Sequence, residues 1–267
     1  MILINKNLIG VRKYHYLFYI CNMLSFFKSK PYLKDLLSED YVDIHSHLLP
    51  GIDDGARTII ETKNLVKSLQ EIGIYQFITT PHISHYIWNN SPEAIITNHS
   101  ETKLLLDDLD VKIPFNAAAE YFMDDWFESH FKSEKLLTLK DNYVLVEMSY
   151  MNAPVQLYKI LFDLQVAGYV PVLAHPERYL FYHKNLNEYE KLKKAGCLFQ
   201  LNLLALVGYY GETITKVADH LLKKGMYDFT GTDVHHSKHI ASFNKKIKVN
   251  NIANLKELIS NNQFFKF

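Results

Sequence analysis

Cysteine is almost missing from this chain: Cys21 and Cys197 are the only two in 267 residues. Two cysteines build no disulfide framework, and a reducing cytoplasm is the natural setting for such a sequence. Neither opens the Cys-x5-Arg loop of the cysteine-dependent phosphatases, because Phe27 and Leu203 stand where the arginine belongs. An excess of charge of one sign is lacking too. The formal net charge is +0, and no run of Lys and Arg forms a stripe that would attract nucleic acid or an anionic membrane surface. Long apolar runs are also missing. "YLFYICNMLSFF" at 16–27 falls well short of the ~20 residues of a membrane span, and "KSKPYLKDLL" follows it instead of a small-residue cleavage site. No Gly-x-Gly-x-x-Gly follows the first strand candidate, so the dinucleotide fold lacks its fingerprint.

What is present is an alternating series. Residues 1–40 read as a loosely attached N-terminal extension, and Met23 offers a second possible start, so residues 1–22 are expected to be dispensable. From Tyr41 onward, strand candidates at 41–45, 75–80, 114–121, 143–149, 169–175, 198–204 and 227–233 alternate with helical patterns. The helices are expected over 59–72, from Pro92 to about Leu109, and at 153–167, 186–195, 213–224 and 251–261. Thr58-x-x-Glu61 forms a capping box and Ser91-Pro92 an N-cap with a first-turn proline. Gly73, Gly168, Gly196 and Gly225 each stop a helix just before the next strand. Seven strands with helical crossovers predict a parallel sheet, either doubly wound or closed into a barrel.

Six of the seven strand candidates end in imidazole or carboxylate. They finish in Asp43-Ile44-His45-Ser46-His47, Thr80-Pro81-His82, Ala119-Glu120, Val146-Glu147, Ala174-His175-Pro176-Glu177-Arg178 and Gly231-Thr232-Asp233-Val234-His235. In parallel α/β folds the carboxyl ends of the strands are where catalytic groups collect. His45 and His47 are two apart, so both project from one face of an extended segment, and Asp233 and His235 share that relation. Singly, a His-x-His or a DDG turn is commonplace. Together they place acids and histidines on one rim, where buried charge without partners is costly. Cations offset that cost, so the set predicts a multi-metal site. Imidazole and carboxylate without thiolate suit Mn, Fe or Zn. Neighbouring divalent ions can hold a hydroxide and clamp an in-line displacement at phosphorus. Arg178 would add a planar, permanently charged fork for a phosphate.

The ordered motifs "DIHSHLLPGIDDGA", "TTPH", "AAEY", "VEMS", "LAHPERY" and "GTDVHH" resemble the PHP (polymerase and histidinol phosphatase) superfamily, and more narrowly the bacterial capsule-associated tyrosine phosphatases of CpsB/CapC type. The resemblance runs from about Tyr41 to the C-terminus. It implies a distorted (β/α)7 TIM-like barrel of PHP type over 41–267 and a trinuclear, typically Mn2+-dependent site. It also implies a cytoplasmic enzyme acting on phosphotyrosine of a bacterial tyrosine kinase that regulates capsular or exopolysaccharide synthesis. Carried over motif by motif, His45, His47, Glu120 and Asp233 resemble the ligands of one ion. Glu120 would bridge to a second ion with Glu147 and His175, and Asp54, His82 and His235 would surround a third. Arg178, Asp54 and His235 are the catalytic candidates. Gly51 and Gly55 would let the loop return Asp54 to the site. Relatives carry a further phosphate-contacting arginine after Asp-x-His. Here the stretch is "HHSKHI", leaving Lys238 as the substrate-binding candidate, with His236 and His239 beside it.

Two other readings share these residues. A small-molecule phosphatase of histidinol-phosphatase type, or a nucleotide-directed phosphoesterase, would keep the barrel and metals and change only the pocket rim. A non-catalytic scaffold would bind the kinase through an aromatic surface drawn from the 18 Tyr and 16 Phe. An amidohydrolase also begins with His-x-His, but Val146-Glu147 offers no lysine near the fourth strand for carboxylation.

Overall fold

Each strand candidate becomes part of a parallel ladder in the computed structural model, which describes residues 29–267. The expectation about residues 1–22 lies outside the described residues. The strands are β1 (Val42–Asp43), β2 (Gln76–Thr79), β3 (His82–Ile83), β4 (Phe115–Ala117), β5 (Glu120–Phe122), β6 (Tyr143–Glu147), β7 (Val170–Ala174), β8 (Leu198–Asn202) and β9 (Phe229–Gly231). One sheet runs β1-β2-β4 and the other β3-β5-β6-β7-β8-β9, with every ladder parallel. The expected second and third strands are therefore each broken in two. Pro81 has no N–H to donate and separates β2 from β3. Ala118 and Ala119 separate β4 from β5. The backbone still connects the pieces, since Ala118 N–H donates to Thr79 O (2.8 Å) and Glu120 N–H to Pro81 O (3.1 Å). Counted as broken strands, the described residues hold seven, in sequential order.

The ring closes between the first and last of them, and side chains supply much of that closure. A parallel bridge joins Ser46 to Val234. Asp233 N–H donates to His45 O (2.7 Å), and His47 N–H donates to Val234 O (2.9 Å). Lower on the seam the buried Asp43 carboxylate accepts from Thr232 N–H (2.9 Å) and Oγ1 (2.6 Å). At the bottom Asn262 Nδ2 donates to Val42 O and Thr230 O (both 2.8 Å), while its Oδ1 accepts from Thr230 N–H (2.9 Å). One carboxamide thus satisfies backbone groups of both edge strands, which would otherwise be buried without partners.

A small apolar cluster draws on every strand: Val42, Ile44, Ile78, Ala118, Leu145, Val172, Ala174 and Phe229, with Leu198 packed against it and Phe265 closing one end. Only the interior of a closed barrel collects one side chain from each strand in this way. From Leu145 to Glu147, from Leu198 through Gln200 to Asn202, and from Phe229 through Gly231 to Asp233, period-two alternation keeps one face inward. Apolar groups fill the lower layer and polar groups the layer at the carboxyl ends. A larger cluster lies between the outer faces of the strands and the helices.

The helices are α1 (Ile59–Glu71), α2 (Pro92–Asp108), α3 (Asp125–His130), α4 (Leu157–Val166), α5 (Asn187–Lys194), α6 (Glu212–Lys223), α7 (Ser237–Ala241) and α8 (Ile252–Asn261). α3 and α7 are too short to leave a periodic signal. Thr58 Oγ1 caps α1 by accepting from Glu61 N–H, but the Glu61 carboxylate reaches back to Arg57 N–H instead of Thr58. The compact unit begins at Tyr32, upstream of the expected boundary at Tyr41. Leu33 and Leu36 lie on a 3-10 turn, Leu33–Leu36, and both are buried in the core, with Leu37 packed against it. This part of the expected extension is therefore anchored to the barrel, while 38–40 are exposed. Among the described residues no helix is long and apolar enough to cross a membrane.

The seam yields a test of closure. Asn262→Leu keeps the branching at Cγ but leaves Val42 and Thr230 backbone groups buried and unpaired, at about 1–3 kcal/mol for each group. Urea unfolding should show a loss of at least about 2 kcal/mol. A variant as stable as the parent would mean that the seam does not depend on this amide.

Candidate metal centre

The nine ligand candidates meet at the carboxyl-terminal mouth of the barrel. Four groups have ligand atoms all within 4.8 Å of one another: His47, Asp54, His82 and His235; His45, His47 and Asp233; His45, Glu120 and His175; and His82, Glu120 and Glu147. The grouping differs from the expected partition. Glu147 lies with His82 and Glu120 instead of with His175, and His45 joins Glu120 and His175. His47 joins Asp54, His82 and His235, and Glu120 is outside the His45, His47 and Asp233 group. His82 Nδ1 is 3.0 Å from Glu147 Oε1 and 3.1 Å from Glu120 Oε2. Glu120, His45, His47 and His82 each belong to two of the groups, and Glu120 is the only carboxylate that does. It is fully buried, and neither carboxylate oxygen has a hydrogen-bond partner. Four imidazoles surround it instead: His45, His47 and His82 at 3.2, 3.6 and 3.1 Å from Oε2, and His175 at 3.2 Å from Oε1.

The outer nitrogens show how the rings are aimed. His45 Nδ1 donates to Gln200 Oε1 (2.9 Å), and His47 Nδ1 donates to Asp53 Oδ2 (2.7 Å). In the neutral ring each proton then sits on Nδ1 and each lone pair on Nε2, facing inward. The two Nε2 atoms are 3.4 Å apart and lie 3.3 and 3.4 Å from Asp233 Oδ1. Convergent lone pairs, oriented by hydrogen bonds from behind, are the arrangement of metal-binding histidines. With an unpartnered, fully buried carboxylate at the centre, this donor set fits divalent cations.

Backbone geometry contributes to the aim. His175 and Asp233 both occupy the left-handed region, at φ 35° and 50°. Non-glycine residues pay for that conformation, and it persists where surrounding structure imposes it. The DDG loop is equally constrained. Gly51 has φ 68°. A Cβ on Gly55 would fall 2.2 Å from His47 O and 2.5 Å from His47 Cβ, so only glycine allows the loop to close on the histidine. Asp54 thereby returns to within 3.5 Å of His82 Nε2 and 3.4 Å of His235 Nε2.

Electrostatics in the metal-free state follow from these distances. Burial alone would depress His47 and His82, but Asp53 overrides it at His47 and Glu147 with Glu120 at His82, raising them to about 9 and about 10. Burial would likewise raise Asp54, yet His235 beside it brings the carboxyl down to about 2. Burial, then neighbouring Arg178, lowers His175.

Arg178 lines the cavity above the cluster, and its Nη1 donates to Asp233 Oδ2 (2.7 Å). Lys238 is not brought there. It is exposed on α7, whose buried side carries His239 and Ile240. His239 is no phosphate cation either. Burial, then His236, lowers it to about 4, and its Nδ1 accepts from His235 N–H (3.2 Å). The sequence reading missed Asp53, Gln200 and Asn202. Asp53 sat in the quoted DDG motif. Gln200 and Asn202 end the sixth strand, the one rim position without His, Asp or Glu, and their inward alternation was the available signal.

The chain was then compared with known proteins. A family model described as "Capsular polysaccharide synthesis, CpsB/CapC" matches residues 41–249. The tyrosine-protein phosphatase YwqE of Bacillus subtilis (strain 168) is 28% identical over 198 residues, covering 74% of this chain and 78% of that protein. A putative tyrosine-protein phosphatase CapC of Staphylococcus aureus is 27% identical over 195 residues, 73% of this chain and 76% of that one. Among solved structures, a chain from the crystal structures of YwqE and of CpsB from Streptococcus pneumoniae, described as unique metal-dependent tyrosine phosphatases, superposes with a TM-score of 0.70. It is 27% identical, and the match covers 76% of this chain and 84% of that one.

The raised histidines give a signed pH dependence. Below about 6.5 these rings are protonated whether the chain is folded or not, so their ion pairs contribute fully. The contribution falls as pH rises above 6.5 and is lost through about 9 for His47 and about 10 for His82. Metal-free protein should therefore melt progressively lower from pH 6.5 to 10, whereas added divalent metal, which needs deprotonated imidazoles, should protect more as pH rises. Melting temperatures with and without chelator check both slopes, and parallel curves would contradict the ion pairing.

Proposed function

We propose that this chain, which belongs to the CpsB/CapC family of capsular polysaccharide synthesis, is a metal-dependent phosphatase that hydrolyses phosphotyrosine on a protein. One observation carries the reading: a cavity of about 370 Å3 whose two halves differ in chemistry. Its floor is His82, Glu120, Glu147, His175, Asp233 and His235 with Arg178 beside them. Its outer wall is Ile87, Trp88, Phe122, Met148, Tyr150 and Met151. A phosphate dianion suits the floor once cations are bound, and an aromatic ring suits the wall. Histidinol phosphate would bring an ammonium group, and outside the proposed metal ligands the lining offers it the hydroxyls of Ser84, Ser149 and Tyr150 but no carboxylate. Relatives named tyrosine-protein phosphatase support the aryl substrate.

The proposed metal ligands are His45, His47, Asp54, His82, Glu120, Glu147, His175, Asp233 and His235, sharing three ions. Manganese is the proposed metal, with iron and zinc matching the same donors. Divalent ions bound there supply Lewis acidity, bringing the pKa of a water toward ~7 and offsetting phosphoryl charge. Arg178 binds phosphoryl oxygens, where negative charge is held in the transition state. Trp88, Tyr150 and Met151 offer the aryl ring aromatic and apolar surface. A phenol has a pKa near ~10, so it departs as an anion far more readily than an alkoxide and needs no strong acid from the chain. The protein substrate in this reading is a bacterial tyrosine kinase that governs capsular or exopolysaccharide synthesis, met in the cytoplasm. The catalytic unit is 32–267.

Chelation should abolish hydrolysis of an aryl phosphate, Mn2+ should restore it, and alkyl phosphates should be poor substrates. Activity that survives thorough demetallation, or a preference for histidinol phosphate, would refute the proposal. Glu120→Ala should lose more metal than Asp54→Ala by elemental analysis, because Glu120 touches two donor groups at the centre and Asp54 one at the edge. Arg178→Ala should lower kcat/KM roughly ten- to a thousand-fold, with Arg178→Lys remaining impaired because the fork is gone.

A further inference from the structure

Arg178 is fixed on three sides. Asp233 Oδ2 accepts from Nη1 along one edge (2.7 Å). The guanidinium carbon lies 4.8 Å from the Tyr150 ring centroid and 4.3 Å from that of Tyr210, so aromatic rings flank it. Tyr150 comes from the loop after β6 and is 44% exposed. Tyr210 stands just before α6 and is half-buried. A single amide ties these partners together: Asn202 Nδ2 donates to the Tyr210 hydroxyl (3.0 Å) and to Asp233 Oδ2 (2.9 Å). Asn202 is in turn held from behind, its N–H donating to the buried Glu177 carboxylate (2.9 Å), which also receives the Tyr227 hydroxyl (3.0 Å).

This much support is unusual for one cation. The chain has three arginines, Arg12, Arg57 and Arg178, among 29 basic residues. A guanidinium differs from an ammonium in being planar, so it stacks on rings and can be held without using the N–H groups that bind a ligand. The rings of Tyr150 and Tyr210 contact the guanidinium without taking an N–H group, and Asp233 takes one at Nη1. The remaining N–H groups are left for a ligand in the cavity that Arg178 lines.

We propose that Tyr210 is a positioning residue for the phosphatase reaction, and that with Tyr150 it clamps the Arg178 guanidinium against Asp233 so that its free N–H groups meet the phosphoryl oxygens. The inference rests on the proposed activity and adds residues to it. Tyr210 acts through Arg178 and touches no reacting atom. Its hydroxyl matters less than its ring, because Asn202 keeps a second partner in Asp233 when the hydroxyl is removed.

A double-mutant cycle tests this, with p-nitrophenyl phosphate as the probe and metal content measured for every variant. Tyr210→Leu should lower kcat/KM roughly ten- to a hundred-fold, the scale of a misplaced catalytic group. Tyr210→Phe should recover most of that loss. In the Arg178→Ala background Tyr210→Leu should cost almost nothing further, since the clamped group is already gone. An equal fold-loss in both backgrounds, or a loss that tracks lost metal, would assign Tyr210 a merely structural role and overturn the clamp. If Tyr210→Leu does not fold, Tyr150→Leu on its half-exposed loop takes its place in the cycle. Its loss should shrink in the Arg178→Ala background, and additivity again overturns the idea. Full activity of Arg178→Ala would also end it, while chelator-sensitive aryl phosphatase activity would leave the proposed function standing.

Discussion

Everything at the mouth of this barrel is organised around one buried carboxylate. Glu120 has no hydrogen-bond donor on either oxygen and four imidazoles within 3.6 Å. An isolated carboxylate in such a place would neutralise itself by taking up a proton. Burial pushes Glu120 in that direction, but His45, His82 and the other rings hold it well below the usual carboxylate range. His45, His47 and His82 are held up in turn by the acids. Neither set is tolerable alone, so the charges must assemble together, at one rim, within the few ångströms where their attraction exceeds their desolvation cost.

That requirement reaches into the scaffold. The seam between the first and last strands runs directly beneath the site, and the same backbone that closes it presents His45, His47 and Asp233. Asp43, two residues before His45, pairs with Thr232, one residue before Asp233, just below those candidate ligands. Asp233 and His175 are held in left-handed backbone conformations that a strand would not choose. Closure and ligand placement are therefore one structural problem. A barrel that closed by a regular ladder there would turn these side chains to other directions.

The legible part of this architecture was the part with a local signature. Apolar runs ended by His, Asp or Glu marked the strand ends, and helix-stopping glycines marked the spacing between them. Thr58 and Ser91 announced their helices because a cap is a contact between near neighbours in sequence. The illegible part depends on long-range geometry. Gln200 behind His45 is a contact over 155 positions, and no local pattern distinguishes it from any strand glutamine. Lys238 misled for the same reason. Its nearness to His235 in sequence suggested nearness in space, but the turn of α7 faces it to solvent. The breaks at Pro81 and Ala118-Ala119 show the converse, since proline chemistry predicts one and nothing local predicts the other.

Substrate choice follows from how the charged floor meets the apolar wall. Arg178 stands on that boundary, with Asp233 accepting from Nη1 and two aromatic ring centroids within 4.8 Å of its guanidinium carbon. A lysine there would be a hydrated point charge that resists burial beside Tyr150 and Met151, and water would follow it into the cavity. The guanidinium is more weakly hydrated, so it carries charge up to the edge of an apolar surface without bringing solvent. An aryl phosphate has the same division along its own length, a dianion at one end and a ring at the other. The fit lies in the position of that division as much as in either half. An alkyl phosphate with a polar tail satisfies the floor and leaves the wall wet, which weakens every electrostatic contact below it.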